Sequence, residues 1–276
     1  MEMGQFHQIN TFETWNGQII PSTDPAGLGY NKDMGQLIVV DSEINEITEW
    51  VEKNIFMIDL VGSQLFNSFK TTQTSQSDYE PTGIAYNPID SAHYITNDNT
   101  KKLYQYRIAG GSLNLLQSWN LSNQPFNMND PEGITVNPKN GHLFVCDGNG
   151  GQYKIVELQV KQSDLNLIHQ FQVNPTISDP EGIAFHPGTN ELYIISGPDM
   201  KVFNYKTDGE FMAAYNLSGL KPTPVAPQGG TFAPSSDDIS LWSLYIVDGG
   251  VDNNDSENCQ DGCIYEIRFQ DPPADQ

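Results

Sequence analysis

The sequence predicts an all-β fold, a five-bladed β-propeller with four antiparallel strands per blade. Three observations predict it. First, a Pro-x-Gly unit followed by a short apolar run occurs five times, at Pro25-Ala26-Gly27, Pro81-Thr82-Gly83, Pro131-Glu132-Gly133, Pro180-Glu181-Gly182 and Pro227-Gln228-Gly229. The glycines stand 56, 50, 49 and 47 residues apart, and a period near 50 marks an array of like supersecondary units. Second, each copy carries short apolar strands broken by turn residues, without a long helical pattern. Third, the last copy supplies three strands, and a matching fourth lies at the other end of the chain.

The elements follow in order. The inner strand of each blade opens at the glycine, as in Gly83-Ile84-Ala85-Tyr86, and Asn87-Pro88, Asn137-Pro138 or His186-Pro187 then ends it, because proline has no donor for a ladder. Here Gly is expected to allow a backbone conformation that a side chain would forbid. The second strands are Leu37–Val40, His93–Thr96, Leu143–Cys146, Leu192–Ile195 and Leu244–Val247. The third are Leu103–Arg107, Tyr153–Glu157, Val202–Tyr205 and Ile264–Ile267. The fourth carry one aromatic each, Phe69, Trp119, Phe171 and Tyr215. Strands one and two read as continuous apolar runs, whereas three and four alternate and are expected to be half wet. Gln8–Phe12 matches Leu115–Trp119 in form, so the N-terminal strand is expected to close the last blade and remove its open edge. Residues 43–53 are expected to lengthen a hairpin of the first blade. One propeller domain then fills the chain, with blades at about 24–70, 80–122, 130–174, 179–218 and 226–270 plus the strand 5–14.

Charge narrows the partners. The 276 residues hold 35 acidic and 13 basic side chains, a net −22. Nucleic acid is excluded, because it needs a basic footprint, and no apolar stretch is long enough to span a membrane. The opening Met1-Glu2-Met3-Gly4-Gln5 has neither the basic nor the apolar region of a signal peptide. The acidity reads either as a solubility surface of extracellular or saline settings or as divalent-cation sites. An extracellular or periplasmic, bacterial, monomeric protein is expected. Cys146 is expected to be a buried free thiol. Cys259 and Cys263 are close enough in sequence for a disulfide, but chance pairing accounts for them equally well.

The chemistry gathers at one mouth of the channel. The x of Pro-x-Gly stands where each inner strand begins, so Ala26, Thr82, Glu132, Glu181 and Gln228 ring that mouth. Glu132, Glu181 and Gln228 form a set of oxygen ligands for a hard cation such as Ca²⁺; alternatively the two carboxylates bond to backbone amides. Strand two returns to the same face, ending at Asp41, Asn97, Asp147, Ser196 and Asp248. These are candidates to line the ligand site, although short side chains there commonly accept from turn amides. Asp24, Glu80, Asp130 and Asp179 precede the repeat prolines and make this face acidic. The loop 248–258 lacks the Gly and Glu of an EF-hand; Asp252, Asn254 and Asp255 in it are candidates for a looser surface calcium site. No nucleophile elbow, HExxH or P-loop occurs, the five histidines do not cluster, and no catalytic residue is assigned.

The unit Asp130-Pro131-Glu132-Gly133-Ile134, with Asn137-Pro138 and Leu143-Phe144-Val145-Cys146-Asp147 after it, resembles NHL-type repeats and the senescence marker protein/gluconolactonase superfamily. Gly229–Ser236 with Leu244–Asp248 resembles the closing blade of secreted propellers of bacterial, cyanobacterial type. The gluconolactonase resemblance implies Ca²⁺ or Zn²⁺ ligands just before the inner-strand glycines, which here are Glu132, Glu181 and Gln228. It implies no catalytic base, since no Asp fills that position, and those enzymes have six blades. The function expected is a calcium-binding recognition module for a small-molecule, carbohydrate or protein ligand at one asymmetric central site. The alternative is a metal-dependent hydrolase of lactonase or phosphoesterase type using the same residues. A lectin-like array would need five equivalent sites, which the unlike x residues disfavour.

Overall fold

The structure is a computed structural model and describes residues 4–15, 22–43, 53–71, 80–148, 153–173, 177–251 and 261–270. Its strands form five four-stranded antiparallel sheets arranged as a ring. Blade 1 holds β2 (Pro25–Asn31), β3 (Gln36–Asp41), β4 (Ile55–Ile58) and β5 (Leu65–Phe69). Blade 2 holds β6 (Pro81–Asn87), β7 (Ala92–Asn97), β8 (Lys102–Ala109) and β9 (Ser112–Asn120). Blade 3 holds β10 (Pro131–Val136), β11 (Leu143–Asp147), β12 (Lys154–Lys161) and β13 (Asp164–Gln172). Blade 4 holds β14 (Gly182–His186), β15 (Glu191–Ser196), β16 (Lys201–Lys206) and β17 (Phe211–Asn216). Blade 5 joins β18 (Pro227–Pro234), β19 (Trp242–Asp248) and β20 (Cys263–Phe269) to β1 (Phe6–Glu13).

The closure by β1 is as the sequence predicts. Phe12 faces Ile264 across β1 and β20, as Phe69 faces Ile55, Trp119 faces Leu103, Phe171 faces Ile155 and Tyr215 faces Val202. One aromatic per outer strand thus covers one aliphatic of the third strand in every blade, including the composite one.

The core is five shared interfaces rather than one centre. In β3, Ile38 and Val40 pack with Ile84, Ile95 and Tyr104 of blade 2. The alternate residues Leu37 and Val39 pack with Tyr245, Val247 and Ile264 of blade 5. A strand covered on both faces by neighbouring blades needs apolar residues at every position, which explains the unbroken runs of strand two. The third strand departs from expectation in blades 1, 4 and 5, where β4 and most of β16 and β20 are buried, whereas β8 and β12 stay partly exposed as expected. Where it is buried, neighbouring blades still cover both faces at that radius; the fourth strand is half wet, as in β13.

The repeat glycines serve a different need from the one expected. None of the five has a positive φ. A Cβ on Gly27 would lie 2.8 Å from the Gly83 Cα, one on Gly83 2.9 Å from the Gly133 Cα, one on Gly133 2.8 Å from the Gly182 Cα, and one on Gly229 2.7 Å from the Gly27 Cα. On Gly182 it would lie 2.0 Å from the Gln228 carbonyl oxygen. The five inner strands meet at the axis backbone to backbone, and only glycine leaves room. No helix among the described residues is long and apolar enough to cross a membrane.

Candidate metal centre at the channel mouth

In blades 1, 2, 3 and 5 the Pro-x-Gly unit is also a kink in its ladder. The register shifts between Pro25 and Gly27, Pro81 and Gly83, Pro131 and Ile134, and Pro227 and Gly230. Such bulges re-aim a side chain. Ala26, Thr82, Glu132, Glu181 and Gln228 all line one cavity of about 190 Å³ at the mouth, together with Ser42, Glu43, Glu80, Asp98 and Asp179.

The position after strand two is complementary in size to x. Where x is small, Ala26 and Thr82, the following residue is Ser42 or Asp98; where x is long, it is Gly148, Gly197 or Gly249. A Cβ on Gly148 would lie 2.9 Å from Glu132 Cγ, on Gly197 2.8 Å from Glu181 Oε2, and on Gly249 3.1 Å from Gln228 Nε2. The long side chains therefore lie over these glycines, while Asp98 supplies the carboxylate of blade 2.

Asp98, Asp130 and Glu132 offer carboxylate oxygens that all lie within 4.8 Å of one another. Among the described residues no ion pair engages any of the three. Burial pushes the Asp130 carboxyl up to about 6, with the charges of Asp98, Asp179 and Asp147 adding and Lys101 opposing. Burial, with Asp98, Asp130, Glu181 and Asp179, holds Glu132 well above the usual carboxylate range. Burial and then Asp179 push Glu181 up to about 8, against the Gly197 amide. Its Oε2 is buried and has no hydrogen-bond partner. Carboxylates crowded in this way resist ionising together and are stabilised by a cation among them. Asp179 adds a left-handed backbone, φ 49°, a region Asp tolerates better than most residues. The cluster of oxygens is an acidic site able to hold a divalent metal.

The second predicted column lies behind the cavity rather than in it. Asp41 accepts from the amides of Thr23 and Asp24 at 3.0 and 3.1 Å and from the Ser22 hydroxyl. Asp147 accepts from the amides of Asn129 and Asp130 at 2.9 and 2.8 Å, and Lys154 sits 3.7 Å from it. Asp248 accepts from Val225 and Ala226, and Asn97 accepts from the amide and hydroxyl of Thr100. In blades 1, 3 and 5 these residues grip the segment that leads into the repeat proline, and so position the mouth. Thr82 lines the cavity but donates its hydroxyl to the Pro131 carbonyl, tying blade 2 to blade 3. Asp252, Asn254 and Asp255 lie outside the described residues, as does Cys259; Cys146 and Cys263 are buried free thiols. Asp98, Ser42 and Glu43 are cavity residues that the repeat pattern alone does not mark; for Asp98 and Ser42 the size complementarity after strand two is the signal.

The fold and this mouth define the class: a five-bladed β-propeller with an acid-lined channel entrance. Residues 22–205 match the SdiA-regulated family, and the chain belongs to that family. Its fold is similar to a gluconolactonase, XC5397 from Xanthomonas campestris, with a TM-score of 0.54 at 14% identity over 91% of this chain and 74% of that one. It is similar to a chain of a nidogen/laminin complex, with a TM-score of 0.53 at 19% identity over 83% and 73%. A streptogramin B lyase aligns with a TM-score of 0.52 at 14% identity over 96% and 98%. No curated protein matches the sequence at a significant level.

Proposed function

We propose that the acidic mouth holds Ca²⁺ and that the protein is a recognition module which binds its ligand through this one asymmetric site. The observation that carries the reading is the convergence of Asp98, Asp130 and Glu132 oxygens within 4.8 Å in a cavity ringed by further acids. Hard oxygen donors of this kind suit Ca²⁺. Asp98, Asp130 and Glu132 would hold the ion, with Glu181 beside them and the Gln228 amide across the mouth. Most of the acids fall in blades 2 to 4, whereas blade 5 presents Gln228 and blade 1 presents Ala26, Ser42 and a single acid, Glu43. A ligand can therefore reach the cation from the less acidic side, over Gln228 of blade 5, and contribute oxygen atoms of its own. An oxygen-rich small molecule, a carbohydrate or an acidic protein loop has the required chemistry. An extracellular or periplasmic setting, where calcium is plentiful, fits the −22 charge.

The test is the melting temperature in EDTA and then in excess Ca²⁺. A ligand at about 100 times its dissociation constant adds roughly 2.7 kcal/mol to stability. A calcium-dependent rise that Asp98→Asn or Glu132→Gln removes supports the reading; identical melting in EDTA and Ca²⁺ ends it.

Glu181 favours one second reading, a metal-dependent hydrolase of lactonase or phosphoesterase type. Its oxygen without a hydrogen-bond partner and its raised affinity for a proton are what a general acid or base beside a metal needs. Turnover of simple lactones or phosphoesters that Glu181→Gln abolishes, with folding intact, would favour this reading over pure recognition.

A further inference from the structure

The inner strands run from the acidic mouth to a second one with the opposite chemistry. Three residues after each repeat glycine stand Tyr30, Tyr86, Val136, Phe185 and Phe232, and all five line a cavity of about 80 Å³. Two residues further on, blades 2, 3 and 4 place Pro88, Pro138 and Pro187 at its rim. Blade 1 breaks the series with Lys32, which also lines the cavity. The two cavities share no residue.

Lys32 has no hydrogen-bond or ion-pair partner among the described residues. The adjacent acid, Asp33, accepts a short hydrogen bond from the Tyr86 hydroxyl. In a chain of net charge −22, anions are repelled over most of the surface. Here an unpaired ammonium borders a cup of aromatic and proline rings. Apolar walls strengthen a nearby charge pair by lowering the local dielectric. Concave, mostly apolar sites with a few polar groups are where small molecules bind.

We propose that this far mouth is a second ligand site, which takes a small apolar carboxylate. Its ring or hydrocarbon lies in the aromatic cup and its carboxylate meets Lys32. The site is independent of the cation at the acidic mouth.

The test is calorimetric titration at low salt with benzoate and with its neutral isostere benzamide. Wild type should bind benzoate about tenfold more tightly than benzamide, a factor of one decade in the dissociation constant. Lys32→Gln, at an exposed position, should erase that preference and leave folding unchanged. Val136→Phe, which fills the cup, should weaken both ligands; its melting temperature checks that the fold survives. Glu132→Gln/Glu181→Gln should bind benzoate as wild type does. The proposal is overturned if benzoate shows no saturable binding up to about 10 mM, if benzoate and benzamide bind alike, or if Lys32→Gln changes nothing. Binding of a tripeptide ending in phenylalanine, without binding of benzoate, would overturn it in favour of a peptide site.

Discussion

Gly148 and Glu132 occupy one shared volume: a Cβ on Gly148 would lie 2.9 Å from Glu132 Cγ and equally 2.9 Å from Asp179 Oδ1. The carboxylate of blade 3 reaches the channel mouth because blade 3 has no side chain at the next position. Gly148→Ala should therefore displace Glu132 and cost about 1–3 kcal/mol, the usual range for overpacking. It should also blunt the calcium-dependent rise in melting temperature. Gly35→Ala, where a Cβ would meet nothing within 4 Å but φ is +67°, should lower stability without altering the calcium response. Differential scanning fluorimetry of both variants in EDTA and Ca²⁺ checks this.

The two acidic columns should separate under mutation. Asp98→Asn removes a carboxylate from the cavity, so it should leave metal-free stability equal or higher, by relief of repulsion, and reduce the calcium effect. Asp41→Ala strips three backbone amides, of Thr23, Asp24 and Glu43, and the Ser22 hydroxyl of their acceptor. It should cost about 1–3 kcal/mol, the penalty for buried groups left unpaired, and retain the calcium rise in full. Chemical denaturation with and without Ca²⁺ distinguishes the two behaviours.

The metal-free protein should lose stability as the pH rises. Asp130 is pushed up to about 6 and Glu181 up to about 8 in the folded state, above the ordinary values of 3.8 and 4.5. The native state therefore holds more protons than the unfolded chain between those limits, and stability falls with pH there. The stabilisation is complete below about pH 4 and is lost by about pH 8. Glu132→Gln/Glu181→Gln should flatten that decline. Added Ca²⁺ should oppose it, with the largest gain at high pH, since binding requires deprotonated carboxylates. Melting curves in EDTA and in Ca²⁺ from pH 5 to 8.5 read the effect; a metal-free stability that rises across this range would contradict it.

Closure of the ring rests on β1. Removing residues 4–14 should leave the β20 edge open and produce aggregation measurable by light scattering, because an unpaired edge strand templates association. Phe12→Ala should be milder, about 2 kcal/mol, below the 3–5 kcal/mol of a fully buried Phe, because Phe12 is only partly covered.

The repeat made much of this legible in advance. Five Pro-x-Gly units and a column of aromatics require only local patterns of apolar, turn and glycine residues, and these translate into strands and blades by the period-two rule. The same pattern marked x as the position facing the mouth. It misjudged the third strand of blades 1, 4 and 5, because burial there depends on the neighbouring blade and not on the strand's own alternation.

What the sequence determined by itself was therefore the blade count, the closing role of Gln8–Phe12 and the ring of Ala26, Thr82, Glu132, Glu181 and Gln228. Each follows from residues close in the chain and repeated five times. The tertiary structure alone decided which carboxylates meet. Asp98 joins Asp130 and Glu132 only because blades 2 and 3 close against each other at the axis, with Gly83 and Gly133 in backbone contact. It likewise decided that Asp41, Asp147 and Asp248 turn their oxygens to backbone amides. Distances between blades are set by ring closure, which no local pattern encodes, and a carboxylate's task depends on whether amides or other carboxylates are within reach.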